Sequence, residues 1–431
     1  MRTAIDRSFL ARALSALSAP NAVHDRFYPG EPAGRQPAHT CYVGAQHFTA
    51  DTVAAWGATA RQWLDRYTPE PSALGELLGI PEDLRDAVYA ATVDKLAREP
   101  VEDLRIDFED GYGWRPDAEE DTHALAAADH VAAARAQGTL SPAVGLRIKP
   151  MTEAGKARGL RTLDLFLSRL AEGPGGLPDH LLITLPKVTL PEQIAVFVAV
   201  LDHLEEQLGL PEGRLRFELM VETTEALIDA SGRCPLPSFV RAARGRLSTA
   251  CIGTYDLTAS AGVAAAHQGM GHPVCEHARR TMAAALGGTG VALCDGSTHI
   301  LPTGPDAASV HAAWRLSWLH VRHSLHSAYY QGWDLHPGQL PIRFAANAAF
   351  YLEALPTTLA RLSTLVQASQ GAVDGAVQDD AATAQALLAF TRRAVVGGWI
   401  SLDEACTRTG LSAVELALPR FRDILAARAG D

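Results

Sequence analysis

Residues 181–222 read LLITLPKVTLPEQIAVFVAVLDHLEEQLGLPEGRLRFELMVE. The two ends, LLITLPKV (181–188) and FELMVE (217–222), are short apolar runs rich in Val, Ile and Leu, the composition of strands buried on both faces. Between them, residues 191–207 carry apolar positions at helical spacing. Strand, helix, strand in that order predicts two parallel strands joined by a right-handed crossover.

The same alternation extends in both directions. Further strand-like runs stand at 39–44, 104–109, 144–149, 249–254, 290–294 and 330–335, with helical segments at 118–136, 155–171, 224–230, 277–286 and 307–323. Eight strands alternating with helices predict a closed α/β structure, the (β/α)8 TIM barrel. The expected boundaries are a helical, Pro- and Gly-punctuated lead-in (1–38), a barrel (39–345) and a C-terminal helical extension (346–431). Helices are expected in the last part at 343–354, 357–370, 381–397, 402–409 and 413–428. Residues 371–380, with two glycines and three aspartates, read as a joint. The extension is then either a lid hinged there or static packing under the barrel.

Hydrophobic residues make up 47% of the chain and charged ones 20%, the balance of a globular enzyme. A net charge of -11 with dispersed Lys and Arg argues against a nucleic-acid partner. Six cysteines without paired spacing suggest reduced thiols in a cytoplasm. The first twenty residues read as an amphipathic helix, because Asp6, Arg7 and Arg12 interrupt any signal-like core, and no run is long and apolar enough to span a bilayer.

In a barrel the C-terminal strand ends converge on one mouth, where polar residues read as chemistry. The expected set is Asp107, Glu109 and Asp110 after the second strand, Arg147 and Lys149 on the third, Lys187 after the fourth, Glu222 at the fifth, Asp256 after the sixth, Asp295 at the seventh, and Asp334 with His336 at the eighth. Any single carboxylate could instead cap a helix or sit in a solvated loop. Several acids with a few cations in one mouth suit a hard ion, Mg2+ or Mn2+, and a small anionic substrate whose carboxylate an Arg can fork. Glu222 follows the apolar Leu219-Met220-Val221, so its burial calls for a metal or an Arg partner. The chemistry such a site would support is stabilisation of an enolate in carbon-carbon cleavage or formation.

Six ordered motifs resemble the HpcH/HpaI aldolase and citrate lyase beta-subunit (CitE-like) superfamily. They are Asp107-Phe-Glu-Asp-Gly111, Leu146-Arg-Ile-Lys149, Leu185-Pro-Lys-Val188, Val221-Glu-Thr-Thr-Glu225, Gly253-Thr-Tyr-Asp-Leu257 with Gly262 beyond it, and Leu335-His-Pro-Gly-Gln339. Within that superfamily the chain looks like a branch of longer proteins described as aldolases or phosphoenolpyruvate kinases. The resemblance implies a phosphoenolpyruvate/pyruvate-type barrel with Glu222 and Asp256 as metal ligands and Arg147 as the substrate clamp. It further implies that Glu109 and Asp110 hold metal-bound waters or orient Arg147, that Lys187 adds positive charge, and that amides near 221–223 serve a substrate carboxylate. It implies a homo-oligomer, trimer or hexamer.

Departures from the family pattern supply further candidates. Lys149 stands where the family has Asn, and is read either as a ligand for a more anionic substrate or as an ion-pair partner of Asp107 or Glu109. A polar seventh-strand stretch offers Asp295, Ser297 and His299 for specificity. With Arg147, Lys149, Thr223, Asp295 and Ser297, His336 completes the expected substrate-binding set. His336 could transfer protons or turn under the rim, and His39 invites the same two readings. Asp374, Asp379 and Asp380 are candidates for an acidic lid residue or solvated loop positions. The expected function is a metal-dependent lyase or aldolase acting on a 2-oxo acid or acyl-CoA. The alternatives are a phosphoenolpyruvate-utilising phosphotransferase, which lacks a GxxxxGK[ST] loop here, and a catalytically silent barrel that binds a ligand or partner subunit.

Overall fold

Alternation along a strand decides what fills this barrel. On β2 (Asp103–Asp107), Leu104 and Ile106 turn outward into the main hydrophobic core. Asp103, Arg105 and Asp107 turn inward. Arg105, fully buried, spans the bore: its Nε and Nη2 donate to Glu218 Oε1 and Oε2 on β5 (Arg216–Val221) at 2.9 and 3.0 Å, and it also pairs with Asp103. Two residues further along β5, Met220 joins Tyr42, Cys251, Cys294 and Trp333 in an apolar layer. The bore is thus packed with side chains rather than open.

We describe residues 4–32, 34–368 and 381–429 in a computed structural model. Eight parallel strands close in chain order: β1 (His39–Gly44), β2, β3 (Ala143–Arg147), β4 (Leu181–Leu185), β5, β6 (Leu247–Ile252), β7 (Ala292–Ser297) and β8 (Gln331–Asp334), which pairs back with β1. The fold is a (β/α)8 TIM barrel. Helices Asp117–Gln137, Lys156–Glu172, Pro191–Gln207, Pro273–Leu286 and Ala307–His326 cover its outer face where the periodicity predicts them.

Three segments differ from expectation. Residues 224–230 form only the turn Thr224–Ala226, because the Asp229 carboxylate takes the backbone N–H groups of Ser231 and Arg233 and ends the helical path. The two helices expected at 343–354 and 357–370 are one, Leu340–Ala368, with Pro356 inside it. Proline there removes a helical hydrogen bond. Burial of Leu355, Leu359 and Leu362 in a second core offsets the loss. The segment 413–428 divides into Ala413–Ala417 and Phe421–Ala429, with Pro419 between them. The joint at 371–380, with Asp374, Asp379 and Asp380, lies outside the described residues.

Helix Ala381–Val396 shares the second core with helix Leu340–Ala368. Arg393 pairs with Glu31 at 2.7 Å, and Arg420 donates to the Pro29 carbonyl at 3.4 Å. Gly30 in turn exchanges backbone hydrogen bonds with Gly288 and Gly290, just ahead of β7. These contacts set the described tail and the lead-in at the foot of the chain's own barrel, where strands begin, rather than over its own mouth. Helix Arg7–Phe27 buries none of its residues. Among the described residues no helix is long and apolar enough to cross a membrane.

Candidate active site at the barrel mouth

Five consecutive strands bring charge to the mouth. Asp107 ends β2, and its two oxygens accept from the backbone N–H groups of Glu109 (2.9 Å) and Gly111 (2.7 Å), which fixes the loop that follows. The same oxygens take Nε and Nη2 of Arg147, at the end of β3, at 2.7 and 2.5 Å. This bidentate pair orients the guanidinium. Its remaining nitrogen stands 3.2 Å from Glu109 and 3.8 Å from Asp110, and the Tyr42 ring lies 5.0 Å from the guanidinium carbon.

Lys187 follows β4 with a backbone φ of +51°, a left-handed conformation rare for a residue with a side chain. Its N–H donates to Glu222 Oε1 at 2.7 Å. Its ammonium stands 2.5 Å from Glu109, 3.3 Å from Asp110 and 3.1 Å from Asp256. Glu222, 1% exposed just past β5, packs so closely against Gly253 that a Cβ there would meet Glu222 Cβ at 2.5 Å and overlap Oε2. Gly253 is therefore a steric requirement of the carboxylate. Asp256 sits in the first turn of helix Thr254–Ser260, which Gly253 introduces.

Five carboxylates thus meet two side-chain cations, and their protonation shows the imbalance. Burial pushes the Glu222 carboxyl up to about 8, with Lys187 opposing and the charges of Asp256 and Glu109 reinforcing the rise. Burial likewise pushes Glu109 up to about 7 against the charge of Arg147. For Asp110 burial is again the largest influence and acts upward, but Arg147, the hydrogen bond with Glu109 and Lys187 together outweigh it, and the carboxyl ends below its ordinary value. Buried Thr254 Oγ1, at the start of the Asp256 helix, has no hydrogen-bond partner among the described residues. An all-oxygen donor set with excess negative charge fits a hard divalent cation. Among the described residues no three His, Cys, Asp or Glu side chains are already arranged to hold one. The Lys187 ammonium occupies the space between Glu109, Asp110 and Asp256.

Other expected site residues stand elsewhere or are already engaged. Lys149 does not face the mouth and does not pair with Asp107 or Glu109. It is 2% exposed, and its ammonium is held by Glu120 at 2.6 Å and by the carbonyls of Phe108 and Gly113. Asp295 turns away from the bore to Arg279 (2.8 Å) and Ser324 (2.6 Å) on the covering helices. Asp334 turns outward likewise, held by Arg343 and His39. His336 caps the turn Pro337–Gln339, accepting from Gly338 N at 3.0 Å, and packs against Trp63. Thr223 caps the turn Thr224–Ala226 with its hydroxyl. Ser297 is buried, and its carbonyl accepts from the Tyr255 hydroxyl at 3.3 Å.

Tyr255 also meets the His299 ring beside Asp256, so His299 reaches the rim through a residue that the strand-end reading passes over. Gly253 heads one of the six motifs but receives no role from the sequence, and neither does Tyr42. The available signal for Gly253 was its place directly after the apolar β6 run and three residues before Asp256.

A family model described as a domain of unknown function (DUF6986) matches residues 17–424. The chain belongs to the DUF6986 family. No curated protein matches this DUF6986 member. Among solved structures it is similar to a citrate lyase from Burkholderia xenovorans LB400, at 18% identity and a TM-score of 0.57 over 88% of this chain and 97% of that one. A malate synthase from Haloferax volcanii aligns at 14% identity and a TM-score of 0.47, covering 90% and 99%. The citrate lyase beta subunit from M. tuberculosis, complexed with oxaloacetate and magnesium, aligns at 16% and 0.41, covering 74% and 98%. The Burkholderia likeness shows that the DUF6986 chain shares that enzyme's barrel.

Proposed function

We propose that this protein is a divalent-metal-dependent carbon-carbon lyase or aldolase that acts on a 2-oxo acid or an acyl thioester through its enolate. The observation that carries the reading is the charge imbalance at the mouth, where among the described residues Asp107, Glu109, Asp110, Glu222 and Asp256 gather around two cations, Arg147 and Lys187. The reaction kind named for the Burkholderia neighbour agrees with it.

Glu222 and Asp256 would hold Mg2+ or Mn2+, and that charge would lower the cost of an enolate oxygen. Arg147, braced by Asp107, would turn its remaining edge, now paired with Glu109 and near Asp110, to a substrate carboxylate. Glu109 sits between Arg147 and Lys187 and keeps both cations directed at the same point. Lys187 exchanges a carboxylate partner for the anionic substrate as that substrate enters.

One observation favours a second reading. The Lys187 ammonium already bridges Glu109, Asp110 and Asp256, as it would in a silent barrel that needs no metal. A turnover screen separates the two. Purified protein with Mg2+ or Mn2+ is offered 4-hydroxy-2-oxo acids and malyl- or citramalyl-CoA thioesters, with Glu222→Gln beside it. Metal-dependent release of pyruvate, glyoxylate or acetyl-CoA that Glu222→Gln abolishes supports the lyase. Silence across the panel, with equal metal binding by both proteins, supports the binding barrel.

A further inference from the structure

At the foot of the barrel, opposite the mouth, the lead-in encloses a cavity of about 630 Å³ against the first residues of the strands. That volume lies within the range of about 300–1,000 Å³ typical of small-molecule sites. One wall is apolar: Leu181, Leu247 and Val291 are buried there, and Phe27, at the end of the lead-in helix, lines the same cavity.

The charges of the cavity are not balanced. Its acids are mostly engaged: Glu31 by Arg393, Glu102 by Lys95 and Arg35, and Asp103 by Arg105. Its remaining cations are not. Among the described residues Arg26 and Arg216 meet no acid, and Arg214 is engaged only by the Pro178 carbonyl, leaving Asp179 as the one acid without a partner. A chain of net charge -11 therefore gathers guanidinium groups without acidic partners around an apolar-walled cavity, Arg214 half-buried and Arg26 and Arg216 exposed. Their planar fork matches a carboxylate.

We propose that this cavity binds a small amphiphilic organic acid, with its carboxylate on Arg214 and Arg216 and its apolar body against Leu181, Leu247 and Val291. The Arg105 and Met220 layers fill the bore between foot and mouth, so the site is separate from Glu222 and independent of the function proposed above.

The test is calorimetric titration of the full chain with octanoate, and with octanol as the uncharged control. Octanoate should bind one per chain and octanol about tenfold or more weaker, the loss of one charged hydrogen-bonding group. Arg216→Gln, at an exposed position, and the double variant with Arg214→Gln should each weaken octanoate by about tenfold or more on the same grounds, with an unchanged melting temperature. Glu222→Gln should leave binding unaltered. No octanoate binding at millimolar concentration, equal binding of octanol, undiminished binding by Arg216→Gln, or loss in Glu222→Gln would each overturn the proposal.

Discussion

The backbone N–H of Lys187 donates to Glu222 Oε1 at 2.7 Å, while the side chain of the same residue reaches Glu109 and Asp256. One residue thus positions a buried carboxylate with its main chain and neutralises others with its ammonium. The main-chain role demands a positive φ, which costs an L-residue about 1–2 kcal/mol. Lys187→Gly should therefore be more stable than Lys187→Ala by about 1 kcal/mol, read from urea midpoints at equal slope. Equal midpoints would show that the conformation carries no strain.

Glu222 and Gly253 form a second testable pair. Gly253→Ala should drive the carboxylate from its place, because the new methyl falls 2.5 Å from Glu222 Cβ and overlaps Oε2. Mn2+ affinity measured by calorimetry should drop by about 10- to 100-fold, the usual cost of disturbing a ligand's support, although Gly253 itself offers no ligand. Retained affinity would remove Glu222 from the metal site.

Asp107→Asn keeps the shape of the side chain but removes the charge that braces Arg147. Breaking a buried pair from one side costs about 3–5 kcal/mol. Both members are nearly inaccessible, so a loss of that order in chemical denaturation is expected, together with a raised KM for an anionic substrate. A raised KM without loss of stability would mean that Arg147 finds another partner.

Lys149→Met separates structure from function. Its ammonium is enclosed by Glu120 and two carbonyls, so the variant should lose stability but keep the wild-type ligand affinity at the mouth. A change in that affinity would restore Lys149 to the site.

His320 sets a pH dependence. Burial lowers its pKa from the ordinary 6.5 to about 4, so between those values the unfolded chain holds a proton that the folded chain does not. The His320 contribution to stability then rises with pH across this window and falls as pH drops from about 6.5 towards 4, opposite in sign to the contributions of the raised Glu109 and Glu222 carboxyls. His320→Gln should flatten that part of the curve in thermal melts taken at intervals of pH, and an unchanged slope would count against the burial argument.

Much of this architecture is legible in the sequence because strand and helix periods differ. The run 217–222 and the helix Pro191–Gln207 lie where composition places them. The site is harder to read, because the period of two tells that a residue points to one side of a strand but not which side is the bore. Asp295 late in β7 and Asp334 at the end of β8 read as Asp107 does, yet they turn outward to Arg279 and Arg343, partners on covering helices that no local pattern announces. Arg105 was overlooked for the converse reason: a cation within an apolar run reads as an interruption until Glu218, more than a hundred residues away, is seen beside it.

The mouth is furnished on one side only. Its charged residues follow β2 to β6, whereas the acids of β7 and β8 are spent on fastening the outer helices. Such a barrel separates durable parts from replaceable ones. The arc from β7 round to β1 can take new loops, longer or shorter, provided that Tyr42 keeps its place against Arg147 and His299 its place against Tyr255. Directed evolution of selectivity would begin there, and divergence among natural relatives is expected to concentrate in the same third of the rim.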